Sequence, residues 1–167
     1  SNTVVGTKMT NLGMRKALTD NGMKFIEADV GDRHVMDHLI KNKAILGGEG
    51  SGHIICLNKS MSGDGIIAAL QILEIVAKSG QSLFDLKSEM TKYPQVLINI
   101  KTEDKVNLND SKLLELIGTV ESKLNHKGRV LVRKSGTEPL VRVMVECADN
   151  ALATESAKQI SEAIQSM

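Results

Sequence analysis

Aromatic residues are nearly missing: no Trp, one Tyr and two Phe make up 2% of the chain. Stacking on nucleobases, or a lectin-like aromatic sugar platform, is thereby excluded as the main mode of binding. Cysteine is as scarce. Cys56 and Cys147 lie far apart with no CxxC spacing, which argues against a disulfide framework or a zinc cluster and for a reducing compartment, the cytoplasm. Neither sign of charge dominates: 21 Lys plus Arg face 20 Asp plus Glu, a net charge of +1. That is no footprint for nucleic acid or an anionic membrane, so a bound anion has to be held at a local site. Long apolar runs are missing too. The longest, Ile66 to Ala77, is broken by Gln71 and Glu74 and falls short of the ~20 residues of a membrane helix. No basic-then-apolar leader opens the chain, and Ser1-Asn2 in place of Met reads as a cloning scar ahead of a fragment.

What is present is ample for a core: 167 residues, 41% hydrophobic and 25% charged, suit one or two globular domains. Thr3-Val4-Val5 reads as a strand, Leu12 to Leu18 as a helix opened by Thr10 or Asn11, and Lys24 to Val30 as the next strand. A second helix carries Val35, Leu39 and Ile40 on one side, and two short strands flank a glycine-rich corner. A long helix from about Gly65 to Lys78, capped by Asp64 or Ser62 and ended at Gly80, leads to a short helix at Ser82 with a capping-box pattern. Tyr93-Pro94 then breaks the chain. The expected domains are therefore 1–92, a mixed-sheet α/β domain, and 93–167, an α+β domain of β-α-β-β-α order. In the second, Leu113, Ile117, Val120 and Leu124 form a helical stripe, and Ala153, Ala157, Ile160, Ile164 and Met167 line the last helix.

Two segments carry chemistry. In Gly47-Gly48-Glu49-Gly50-Ser51-Gly52-His53, polar side chains alternate with glycine, so an extended backbone would aim Glu49, Ser51 and His53 at one face. A carboxylate, a hydroxyl and an imidazole in one row suit the hydroxyls of a sugar. A tight hairpin with solvated polar residues fits the same spacing. His53 has no second His or Cys at metal-ligand spacing, and Ser51 lacks the setting of a nucleophile elbow.

The second segment runs from Arg133 to Arg142. A four-residue loop, Ser135 to Glu138, would pair Lys134 with Pro139, Arg133 with Leu140, Val132 with Val141 and Leu131 with Arg142. Val130, Val132, Val141, Val143 and Val145 then share the core face, and Arg133 and Arg142 become diagonal neighbours on the other. Two guanidinium groups, the hydroxyls of Ser135 and Thr137, and a Gly136 able to take positive φ would make an anion-binding concavity. Pairing of both arginines with Glu138 or Glu146 is the alternative. Asp32 and Arg33, after Gly31 at a strand-to-helix turn, form a further candidate ligand loop, though Asp32 equally suits a helix cap. His34, His38 and His126 read as solvated or turn residues, and the eight Met as core filler.

These motifs, Val-Gly-Asp-Arg-His-Val, Gly-Gly-Glu-Gly-Ser-Gly-His and Arg-Lys-Ser-Gly-Thr-Glu-Pro-Leu-Val-Arg, resemble the C-terminal half of the bacterial phosphoglucosamine mutase family, within the α-D-phosphohexomutase superfamily. The resemblance covers Thr3 to Met167 and implies the third and fourth of four domains, the last like the TATA-binding protein. It implies that Glu49, Ser51 and His53 read the sugar, and that Arg133, Ser135, Gly136, Thr137 and Arg142 grip the phosphate not being transferred. Gly50 stands where Gln or Met is common, and His34 where Tyr is usual. The family's phosphoserine loop and magnesium loop do not occur here, so no catalytic or metal residue is expected in this chain and the isolated chain is expected to be inactive. The implied parent interconverts glucosamine 6-phosphate and glucosamine 1-phosphate through glucosamine 1,6-bisphosphate, with Mg2+, for UDP-N-acetylglucosamine and peptidoglycan precursors. The implied partners are a hexosamine phosphate and the missing N-terminal domains; a homodimer of the parent is also admitted. A phosphoglucomutase or phosphomannomutase, or a non-catalytic phosphosugar-binding regulatory module, are the alternatives.

Overall fold

The computed structural model describes residues 2–102, 106–125, 127–136 and 138–167. The chain divides into two compact units, Ser1–Lys92 and Tyr93–Met167.

In the first unit, β1 (Thr3–Thr7), α1 (Leu12–Asp20), β2 (Lys24–Ala28), α2 (Asp32–Asn42), β3 (Leu46–Gly48), β4 (Ile54–Cys56), α3 (Gly65–Ser79) and α4 (Leu83–Lys87) follow in order. The sheet runs β2-β1-β3-β4, with β1 parallel to both β2 and β3 and β4 antiparallel to β3. This is the expected mixed sheet. Side-chain oxygens set the helix starts: Asn11 accepts from Gly13 N, and Asp64 from Ile66 N and Ile67 N. Gly80, at φ 66°, ends α3, and the Ser82–Asp85 capping box opens α4. Val5, Ala28, Val35, Leu39, Ala44 and Ile55 form the core.

Two expectations here are corrected. Ile40 is exposed instead of joining Val35 and Leu39, because at 100° per residue it lies some 140° around the helix from Val35. The second strand stops at Ala28, and Val30 is exposed in the turn that follows.

The second unit consists of β5 (Gln95–Lys101), α5 (Ser111–Leu124), β6 (Gly128–Lys134), β7 (Leu140–Cys147) and α6 (Asn150–Gln165), the expected β-α-β-β-α order. Its sheet is antiparallel, ordered β5-β7-β6. Asp110 and Asp149 cap α5 and α6 by accepting two backbone N–H groups each. Both helices pack on one sheet face, where Val141, Val143 and Val145 of the central strand meet Leu113, Val120, Leu124, Ala153, Ala157, Ile160 and Ile164. Met167 lies beyond the end of α6 and is exposed. His126, expected in the turn before β6, lies outside the described residues.

The β6–β7 register differs from the expected one by two residues. Arg133 stands opposite Arg142, Lys134 opposite Val141, and Val132 opposite Val143. A two-residue slip keeps every side chain on its own face, so the hydrophobic pattern cannot distinguish the two pairings. The loop decides. Ser135 N donates to Leu140 O at 2.8 Å and Leu140 N donates to Glu138 O at 2.8 Å, closing a longer turn over Pro139. Proline has no N–H for the ladder position that the shorter loop required of it.

Candidate functional site

In the first unit the winding of the sheet reverses at β1: α1 leads to β2 on one side and α2 crosses to β3 on the other. Ligands of such sheets bind outside the carboxyl ends of the strands at this switch. The turn after β2, which leads into Gly31, and the turn Glu49–His53 after β3 both emerge there. Of the two backbones that its alternation allows, the glycine corner takes the tight hairpin turn. Glu49 N donates to His53 O at 2.9 Å, Gly52 N donates to Glu49 O at 3.1 Å, and Gly52 takes φ 97°, a left-handed backbone that glycine adopts without strain.

The turn still gathers the three side chains. Ser51 Oγ and His53 Nδ1 are 3.1 Å apart, and His53 Nδ1 lies 3.9 Å from Glu49 Oε2. Both partners face the same ring nitrogen. A serine-histidine-carboxylate relay needs opposite nitrogens, so the cluster is suited to binding hydroxyls and not to activating Ser51. Glu49 is only 10% exposed, and its Oε1 accepts from Gly31 N at 2.8 Å. That bond joins the corner to the candidate loop at Asp32 and Arg33. Sequence spacing does not reveal it. Asp32 is the first residue of α2, and its Oδ1 accepts from Arg33 N of the first turn at 2.8 Å, while the N-cap is Gly31.

At the same edge, Lys8 Nζ pairs with Asp29 Oδ1 at 2.6 Å. The hydrogen bond and charge of Lys8 hold the Asp29 carboxyl below its usual range, and Asp29 in turn raises Lys8. Sequence reasoning missed this pair. Only the parallel register, with Thr7 beside Ala28, brings positions 8 and 29 together.

In the second unit, Asn99, Arg142 and Arg133 form one cross-strand row on the sheet face opposite the helices. Directly opposed residues have Cβ atoms ~5 Å apart, closer than the expected diagonal, and like charges so placed repel. Arg142 Nη2 donates to Glu138 Oε2 at 2.9 Å. Its Nε is buried and has no hydrogen-bond partner among the described residues. Arg133 forms no ion pair among the described residues. The other carboxylate expected to neutralise the arginines, Glu146, is wholly buried and accepts from Arg129 Nε at 2.8 Å. Beside the row, Ser135 is half-buried and Gly136 is exposed, with open space where a Cβ would stand. Gly136 does not take the positive φ open to it. Thr137, the remaining expected phosphate ligand, lies outside the described residues.

Among the described residues no group of three or more His, Cys, Asp or Glu side chains could hold a metal ion, and no helix is long and apolar enough to cross a membrane. The described residues therefore offer no set that fits magnesium.

Comparison with known proteins follows the division into two units. The phosphoglucomutase/phosphomannomutase alpha/beta/alpha domain III matches residues 1–93, and the C-terminal domain of the same family matches residues 97–163. A phosphoglucosamine mutase of Ruthia magnifica subsp. Calyptogena magnifica is 60% identical over 162 residues, which are 96% of this chain and 37% of that protein. One from Methylococcus capsulatus is 47% identical, over 96% of this chain and 36% of its own length. The chain thus spans little more than a third of the curated relatives it matches. An Aspergillus fumigatus N-acetylphosphoglucosamine mutase, solved with GlcNAc-6P and magnesium, superposes with a TM-score of 0.85 at 20% identity, over 98% of this chain and 38% of its own. A phosphoglucomutase/phosphomannomutase family protein of Burkholderia thailandensis gives 0.71 at 17% identity, over the same shares. The chain belongs to the phosphoglucomutase/phosphomannomutase family, of which it carries domain III and the C-terminal domain.

Proposed function

We propose that this chain is the substrate-holding part of a phosphoglucosamine mutase, an enzyme that interconverts glucosamine 6-phosphate and glucosamine 1-phosphate. The observation that carries the reading is the opposed Arg133–Arg142 pair, in which Arg142 keeps a buried, unpartnered Nε beside the Ser135–Gly136 turn. Two guanidinium groups and hydroxyl or N–H donors satisfy phosphate oxygens by charge and by planar, forked hydrogen bonding. Arg133, Ser135, Gly136, Thr137 and Arg142 hold the phosphate that is not transferred. Glu49, Ser51 and His53 read the sugar hydroxyls, with Asp32 and Arg33 flanking them. A phosphate held by charge and N–H donors is accepted from either end of the sugar, which a bisphosphate intermediate that turns around in the site requires. The groups that react, a phosphoserine and a magnesium ion, belong to the remaining portion of the enzyme; this chain binds and orients, and alone it does not turn over substrate. The setting is the cytoplasm, and the product feeds amino-sugar and cell-wall precursor synthesis.

Calorimetric titration with glucosamine 6-phosphate, glucose 6-phosphate, mannose 6-phosphate and unphosphorylated glucosamine tests the reading. Binding is expected for the phosphates, strongest for glucosamine 6-phosphate, and absent for glucosamine. Equal affinity for all four overturns it, and a preference for glucose or mannose phosphate moves the chain to another branch of the family.

A further inference from the structure

Helix α3 is apolar on opposite sides. Ala68, Gln71, Ile72 and Ile75 line a cavity of about 410 Å³ against the first unit's sheet. On the opposite side, Ile66, Leu70 and Leu73 recur at helical spacing and form a ridge that is 74%, 56% and 62% exposed. Of the fifteen residues of α3 only Ala68 is buried. A helix apolar on two opposite sides calls for cover on both, and a contiguous exposed apolar ridge marks an interaction surface. Immediately beyond it, Leu83 and Phe84 of α4 are exposed as well.

We infer that the Ile66–Leu70–Leu73 ridge is a docking surface for the portion of the enzyme that precedes this chain in its relatives. The inference rests on the proposed function above, and it commits to that occupant for two reasons. The curated relatives extend this fold by well over half their length, since the chain covers 36–37% of them. The matched C-terminal domain occupies the end of this chain, so the additional length lies on the N-terminal side. In those relatives the first unit has a large covalent neighbour, and the ridge is an exposed apolar face open to it. The partner chemistry is an apolar helix or sheet face with few charges at its centre, because the ridge itself has none; Glu74 and Lys78, paired with each other, lie beside it.

The test uses two proteins: this chain, and a full-length chimera in which it replaces the matching 162 residues of the Ruthia magnifica relative. Leu70→Glu/Leu73→Glu is introduced into both, with Leu114→Glu, on the half-exposed face of α5, as control. The double substitution is expected to leave the melting temperature and sedimentation of the isolated chain unchanged and to lower the melting temperature of the chimera by 5 °C or more. The control is expected to be neutral in both. An indifferent chimera overturns the docking surface. So does an isolated chain that unfolds on substitution, or one that sediments as a dimer only while the ridge is intact, since a second copy would then be the occupant. Mutase activity of the unsubstituted chimera on glucosamine 6-phosphate is read separately. Its loss counts against the proposed function and not against the ridge.

Discussion

Replacing Arg133 by Met should move binding and stability in opposite directions. Arg133 stands directly across from Arg142, and Glu138, the carboxylate on that pair among the described residues, is bound to Arg142. Removing the Arg133 charge therefore relieves a like-charge contact worth ~0.2–1 kcal/mol, while the Met side chain preserves the packing of the half-buried stem. For a unit of this size, 1 kcal/mol corresponds to about 4–8 °C in Tm, so a rise of a few degrees is expected by calorimetry. The same change removes a charge-assisted hydrogen bond to phosphate worth ~1.5–3 kcal/mol, or about 10- to 150-fold in Kd for glucosamine 6-phosphate. The sign of the pair carries the information. A residue that merely stabilises the fold lowers Tm when lost, and one that merely sits on the surface changes neither quantity. A variant with unchanged Kd, or one that is less stable than the parent, refutes the assignment of Arg133 to a phosphate site.

Three other outcomes are expected. Glu49→Ala strands the Gly31 N–H and should lower stability by ~1–3 kcal/mol in urea titrations, whereas Glu49→Gln, which can still accept that bond, should keep most of it while weakening sugar binding. Lys8→Met should return the Asp29 carboxyl upward to its ordinary value near 3.8 in a carbon-detected NMR titration. Asp29 is depressed in the folded state, so the contribution of the pair is present at neutral pH and is lost as pH falls through that depressed value. Lys43 ends α2 in the left-handed region at φ 52°, so Lys43→Gly should raise the denaturation midpoint by up to ~1 kcal/mol equivalent.

Regular elements were legible because their signals are local. Asn11, Asp64 and Ser82 announce helix starts, Gly80 an end, and the valines at 141, 143 and 145 a buried strand face. What was not legible depends on distance or on parity. The pairing of Arg133 with Arg142 escaped because a two-residue slip leaves the hydrophobic alternation intact, and only the turn over Pro139 breaks the tie. The corner at Glu49 left two backbones open because alternation of polar residues with glycine suits an extended row as well as a hairpin turn with a left-handed Gly52. The partners of Glu49 and Lys8, namely Gly31 and Asp29, lie in the turn between β2 and α2, and nothing in the spacing of the chain foretells them.

The hydrogen bond between Gly31 and Glu49 has an evolutionary consequence. One carboxylate oxygen of Glu49 is committed to the backbone that begins α2, so under the proposed function only the other, which faces His53, is left to judge a sugar. Gly31 sits at φ 128°, and a Cβ there would come within 3.3 Å of the His34 ring. A substitution at the start of α2 thus shifts the carboxylate without touching any ligand. Residues 31–34 and 49–53 are expected to drift together across the family, and changes of sugar preference should be found in the first group as often as in the second.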